Sequence, residues 1–339
     1  MGNITIRMLA KELNLSTAAV SKALRDSHEI SPQTKERVQA LAGKLNYTPN
    51  PYAGSLRRRN SKTIAVVIPE VADSFFSLAL NGIESIALEK GYHTLIYLTH
   101  EKVEREKTIL KDLQSGRVDG VLLSVSVETE SFHHILDFSN KVPLVFFDRV
   151  CAAINASQVV TDDFESAYKA TSHLIECGCS RVGLLAISES LLISLKRKEG
   201  YLQALADHTI KQMDSDILLC SNDARKNNAS IKKMLSRKHR PDGIVATAEK
   251  LTIEIYNVCG GLGLNIPADL KVVCFSNLST AAILQPSLTT ITQPAFEMGK
   301  AAATILFKEL EKKNTDKNKN KESLVIPSTL IARNSTLGA

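Results

Sequence analysis

The chain has 339 residues, enough for two or three domains and a sizeable core, and its 44% apolar content is that of an ordinary globular protein. No run is long and apolar enough to span a bilayer, and the N-terminus lacks a basic segment followed by an apolar one, so a cytoplasmic protein is expected rather than a secreted or anchored one. The net charge of +6 is unevenly spread: residues 1–62 hold 11 Lys and Arg against 4 Asp and Glu, a net of +7, which leaves the remaining 277 residues at −1.

The basic fifth begins with two short helices inside Ile4–Leu24. Ile6, Leu9, Ala10 and Leu13 share one face of the first at 3, 4 spacing. Asn14 stands where the chain turns, since Asn tolerates the left-handed conformation. Ser16 is a natural N-cap for the second helix. Val20, Ala23 and Leu24 then point inward, leaving Thr17, Ala18, Ser21 and Lys22 on the opposite face. This is the layout of a helix-turn-helix, which offers small polar and basic side chains to a major groove. An ordinary helical hairpin has the same local pattern; the positive charge gathered beside it favours phosphate contacts.

Ser31-Pro32 reads as N-cap and first helical residue of a third helix running to about Leu45. Pro49 and Pro51 end it. Tyr52–Arg59 is marginal as a helix alone because it is short and contains Gly54. Leu56 followed by Arg57, Arg58 and Arg59 suits an aliphatic wedge in a minor groove flanked by phosphate-binding cations. A flexible basic linker fits the same residues.

From Lys62 the pattern changes to alternating strands and helices. Apolar β-branched runs recur at 64–71, 94–98, 120–125, 144–147, 182–187, 217–220, 243–247 and 272–275, with helical patterns at 74–90, 103–113, 131–138, 165–176, 195–206, 229–235 and 252–258. Such alternation predicts parallel sheets covered on both faces, and roughly ten strands favour two α/β subdomains over one sheet. Ligands in such folds bind beyond the carboxyl ends of the strands. An extended run at 288–293 precedes a strong helix at 295–311, a polar loop at 312–322 and a final strand at 324–332. The chain therefore crosses between subdomains more than once, which makes a hinged cleft.

Enzymatic motifs are poorly formed. Gly299-Lys300 lacks the upstream glycine of a phosphate loop, because position 294 is proline. Gly260-Gly261-Leu262-Gly263 follows a helix, and Ile266 takes the last glycine position of a dinucleotide fingerprint. His133 and His134 are neighbours on a helix and do not face one another. No Gly-x-Ser-x-Gly elbow occurs. Cys151, Cys177, Cys179, Cys220, Cys259 and Cys274 have no His at zinc-site spacing and read as reduced thiols. Neither catalysis nor a cofactor or metal is expected.

The helix-turn-helix, then YTPNPYAGSLRRRNSKTIAVVIPEVADSFF, VFFDRV and PSLTTITQPAFEMGKAA, closely resembles the lactose-repressor (LacI/GalR) family of bacterial transcription regulators over essentially the whole chain. The resemblance implies an all-α helix-turn-helix domain at 1–47, a hinge helix or linker at 48–61, and a periplasmic-binding-protein-like α/β domain at 62–339. Its N-subdomain would comprise about 62–161 and 292–322, and its C-subdomain about 162–291 and 323–337. It further implies a homodimer on a near-palindromic double-stranded operator, acting as a repressor under control of a small molecule, a sugar or related metabolite. A chain ending at Ala339 without leucine heptads favours a dimer over the tetramer of some relatives.

Carried over by position, DNA contacts fall to Thr5, Ser16, Thr17, Ala18, Ser21, Lys22, Arg25, Ser31, Asn50, Ala53, Leu56 and Arg57, with Thr17 and Ala18 the main sequence readers and Leu56 the intercalating wedge. Lys22 replaces the usual Arg and loses its bidentate fork. Met8 stands where an acidic residue commonly helps cap the first helix. Effector positions are Asp73, Ser74, Phe75, Ser124, Asp148, Arg149, Arg197, Glu249 and Ser276. A carboxylate and a guanidinium facing an apolar or aromatic wall are what polyhydroxylated or anionic ligands need. The family's Asn-Asp pair is here Ala248-Glu249, and its later Asp is Ser276; a pocket with these departures takes an atypical, more acidic effector, binds weakly, or binds none. The competing reading is a solute-binding protein, secreted or cytoplasmic, with no DNA function.

Overall fold

The computed structural model describes residues 4–47, 61–311 and 321–337, in two compact units, Met1–Ser61 and Lys62–Ala339. The expected hinge contacts Asn50, Ala53, Leu56 and Arg57 lie outside the described residues.

In the first unit, α1 (Ile6–Glu12), α2 (Thr17–Ala23) and α3 (Pro32–Lys44) each begin at a hydroxyl cap. Thr5 accepts from the Met8 amide at 3.4 Å, Ser16 from that of Ala19 at 3.1 Å, and Ser31 from that of Thr34 at 3.4 Å. Asn14 makes the turn at φ 51°. Leu9, Val20, Ala23 and Val38 are wholly buried where the three helices meet, with Ala10 and Ala42 beside them.

The second unit holds two six-stranded sheets. The first contains β1 (Thr63–Ile68), β2 (His93–Leu98), β3 (Gly120–Leu123), β4 (Leu144–Phe147), β5 (Ser157–Thr161) and β11 (Ser323–Ile326), in the order β11-β5-β4-β3-β1-β2 and all parallel. The second contains β6 (Val182–Ala186), β7 (Ile217–Leu219), β8 (Gly243–Ala246), β9 (Lys271–Phe275), β10 (Thr289–Thr292) and β12 (Thr329–Ile331), in the order β12-β10-β9-β8-β6-β7. Only the β10–β12 pair is antiparallel. The central strands β1, β3, β4, β6 and β8 are buried along their whole length, as sheets covered on both faces require.

The first lobe is covered by α4 (Ser74–Glu89), α5 (Val103–Leu113), α6 (His133–Ser139) and α11 (Ala295–Glu311); the second by α7 (Asp163–Glu176), α8 (Leu192–Asp207), α9 (Ala224–Leu235) and α10 (Lys250–Leu262). A short α12 (Asn334–Leu337) follows β12. Two helix pairs touch backbone to backbone. A Cβ on Gly82 of α4 would lie 2.1 Å from the Phe296 carbonyl oxygen, and one on Gly299 of α11 would lie 2.0 Å from that of Ala79. Gly200 of α8 stands in the same relation to Phe164 of α7, at 2.1 Å.

The expected final strand 324–332 is two strands in two sheets, and residues 323–326 belong to the first lobe rather than the second. Pro327 has no amide hydrogen to continue a ladder, and the Ser328 amide instead donates to Asp162 Oδ1 at 2.7 Å. Asp162 and Thr161 form the first crossing, Gln293 the second and Ser328 the third. Gln293 Nε2 donates to Thr161 Oγ1 at 3.5 Å, so the three crossings are bonded to one another. β5 was absent from the expected strands because SQVVT alternates buried and half-buried residues and carries polar side chains at three of five positions.

Candidate functional site

On the first unit, Ser16, Thr17, Ala18 and Arg25 are exposed, Ser21 and Lys22 half-buried, and the opposite face of α2 is closed by Val20 and Ala23. Lys22 Nζ pairs with Glu29, and Arg25 Nε donates to the Ser21 carbonyl at 2.8 Å, which fixes two cations along one flank of the helix. Thr5 and Ser31 are exposed, but their hydroxyls are engaged as caps. A short helix with a hydroxyl, a methyl and two positioned cations on its open face is shaped for base edges flanked by phosphates.

The second unit has a cleft between its lobes at the carboxyl ends of both sets of strands. Side chains nearly fill it: the space left for a water-sized sphere is only about 40 Å³. Asp73, Phe75, Asp148, Arg149, Arg197, Glu249 and Ser276 line it, as the sequence pattern anticipates. Ser74 meets it through Glu249, whereas Ser124 is wholly buried under the cleft floor and its hydroxyl has no partner. Sequence reasoning missed Phe76, Ile187, Ile193, Ser194, Thr247, Phe275, Asn277 and Gln293. Ile187, Thr247, Asn277 and Gln293 follow the ends of β6, β8, β9 and β10, so the strand-end rule alone was a sufficient signal.

Asp73 caps α4, accepting from the Phe75 amide at 2.9 Å. Phe75, Phe76 and Phe147 form an edge-to-face stack, with centroids 5.3 and 6.3 Å apart, that makes the apolar wall. Asp148 leaves β4 at φ 61°, which turns its carboxylate back over the strand end. Burial pushes its pKa up to about 7, more than the Arg149 and Arg197 guanidiniums nearby can reverse. Burial, and then the neighbouring Glu249, raise Asp73 above the usual carboxylate range. Burial likewise raises Asp163 in spite of its ion pair.

Both guanidiniums are held from behind by carboxylates. Arg149 Nη1 reaches both oxygens of Glu101, at 2.8 and 2.9 Å. Arg197 Nε bonds Asp163 Oδ1 at 2.8 Å, and its Nη1 bonds the Thr247 carbonyl at 2.6 Å. The Arg197 guanidinium lies 4.0 Å over the Phe275 ring, and its Nη2, buried, has no partner. An unpartnered donor on a fixed guanidinium, facing carboxylates across an aromatic wall, is the equipment for gripping a hydroxyl-bearing ring. Glu101 and Asp163 already pair the two cations, and Asp73 and Glu249 add carboxylates at the same rim, so the cleft offers an anionic ligand little free positive charge.

Residues 61–334 match the model of the periplasmic binding proteins and sugar binding domain of the LacI family, and residues 5–50 that of the bacterial regulatory proteins of the lacI family. The chain belongs to the LacI family. It is thus a helix-turn-helix transcription regulator joined to a periplasmic-binding-protein-like domain, and its family is one of DNA-binding regulators, not of enzymes. It is 27% identical to the ribose operon repressor of Haemophilus influenzae over 331 residues, covering 98% of both chains. It is 28% identical to the transcriptional repressor CytR of Escherichia coli over 332 residues, covering 98% of this chain and 96% of that one. The lac repressor dimer bound to operator and an anti-inducer has the same fold, with a TM-score of 0.83 at 22% identity over 99% of this chain and all of that one. Among the described residues of this LacI-family protein, no group of three His, Cys, Asp or Glu is placed to hold a metal, and no helix is long and apolar enough to cross a membrane. Five of its cysteines are buried and Cys177 half-buried, and none is in a disulfide.

Proposed function

We propose that the protein is a cytoplasmic, homodimeric repressor whose α2 reads each half of a near-palindromic operator, and whose interlobe cleft takes a neutral polyhydroxylated effector, a sugar or related metabolite. The observation that carries this is the coexistence in one chain of a capped helix-turn-helix with an open polar face and a cleft with an unpartnered Arg197 donor beside Asp148. The ribose and CytR repressors, both matched from end to end, support the pairing of those two parts. Thr17 and Ala18 read the bases; Lys22, Arg25, Thr5 and Ser31 hold the duplex, joined by the hinge residues Asn50, Ala53, Leu56 and Arg57. Effector changes the angle between the lobes and, through the dimer, the fit to the operator.

The dimer face suits β2, an edge strand that leaves Leu95 and Ile96 exposed, at 37% and 49%. Selecting duplexes from a random pool with the full-length dimer at moderate ionic strength tests the reading. A palindromic consensus is expected, with affinity falling steeply as salt rises. A solute-binding protein without DNA function would retain no preferred sequence, and that result removes the proposal.

A further inference from the structure

Glu249 lies just after β8 in the second lobe, at the lead-in to α10, yet half of its partners are in the first lobe. Its Oε1 accepts from the backbone amide and the hydroxyl of Ser74, at 3.2 and 2.7 Å. Its Oε2 accepts from the Ser276 hydroxyl at 2.8 Å and the Asn277 amide at 3.0 Å. One carboxylate thus takes two donors from each side of the cleft. Ser74 is the first residue of the 16-residue α4, so its amide has no intrahelical acceptor and sits at the positive end of the helix dipole.

We propose that Glu249 is an intramolecular ligand of the cleft: it latches the two lobes together through donors an effector would use, and effector binding proceeds by displacing it. The proposal rests on the reading of this cleft as the effector site. The narrowness of the cleft follows from the latch, because a side chain of this length spans the gap and draws both rims onto one carboxylate. Leu191 and Ile193, at the start of α8 in the second lobe, pack into the core of the first and complete the closure.

The latch sits beside Asp73, whose carboxyl is raised first by burial and then by the Glu249 charge, so two acids share one rim and four donors keep the second in place. A neutral ligand that offers hydroxyl oxygens to Ser74, Ser276 and Asn277 replaces the carboxylate without that repulsion. This also accounts for a cleft that keeps its acids yet leaves Arg197 Nη2 and Asn277 Oδ1 unpartnered: one donor and one acceptor remain for the incoming molecule once the carboxylate swings away.

Hydrogen exchange read by mass spectrometry on the full chain, without any small molecule, tests the latch in Glu249→Ala and Glu249→Gln. Loss of a charged acceptor should raise exchange about tenfold in the peptide spanning Ser74–Ser77 of the first lobe, and equally in that spanning Ser276–Leu278 of the second. Glu249→Gln, which keeps one acceptor oxygen, should fall between, while β1 and β8 stay protected in both. A rise confined to the second lobe means Glu249 only braces its own loop and overturns the proposal; no rise in either peptide does the same. If Glu249→Ala exchanges throughout, the two peptides in Glu249→Gln decide by the same criterion. No effector enters the measurement, so its failure leaves the effector-site reading standing.

Discussion

Asp148 gives the cleft a measurable pH signature. Its carboxyl is 7% exposed, and burial raises it from 3.8 to about 7. Between those two values the folded protein binds a proton that the unfolded chain has released, so stability falls as pH rises through the window and is flat above it. At about 1.4 kcal/mol per unit, a shift of about three units corresponds to about 4 kcal/mol between pH 4 and pH 7. Asp148→Asn keeps the shape and the left-handed backbone, which Asn accepts as readily as Asp, and replaces the protonated acid by a neutral amide. Urea denaturation followed by circular dichroism at pH 4.5, 5.5, 6.5 and 7.5, on wild type and variant, isolates the effect. Asp73 and Asp163 have shifts of the same sign and are present in both proteins, so they enter the difference only through their charge interaction with Asp148. The variant should gain on the wild type steadily up to pH 7, by an amount approaching the full shift. Stability curves that run parallel across this range refute the assignment of a buried, protonated Asp148.

Two further outcomes follow from packing. Gly299→Ala places a methyl 2.0 Å from the Ala79 carbonyl oxygen, a backbone atom that cannot rotate away, and should cost at least about 1–3 kcal/mol in a thermal-shift comparison; Gly43→Ala, with nothing within 4 Å, serves as the control that should lose nothing. Ile96→Asp puts a charge on the half-exposed edge strand β2 and should turn the dimer into monomers in sedimentation velocity, with the helix content unchanged.

Local chemistry made much of the fold legible. Ser16, Ser31-Pro32 and Asn14 announced the caps and the turn of the first unit, because capping and left-handed tolerance act over three or four residues. The fully buried strands declared themselves by short continuous apolar runs. What stayed hidden depends on partners far away in the chain. The split of 323–331 between two sheets follows from Asp162, more than 160 residues earlier, and β5 owes its place to neighbours on both sides rather than to its own mixed composition. The cleft positions at strand ends were readable, but their electrostatics were not. The pairing of Arg149 with Glu101 and of Arg197 with Asp163 leaves the cleft little free positive charge, and no spacing in the sequence displays it. Ser124, placed by its position after β3, points into packing instead of the gap.

The backbone contact between α4 and α11 has a mechanical meaning. With glycines on both sides, the two helices have no side-chain cushion between them at the crossing and behave as a single stiff girder. One end of that girder adjoins the second crossing at Gln293, and the other helix begins at Ser74 on the rim. That close seating gives the rim and the crossing a direct mechanical connection through the backbone of two helices.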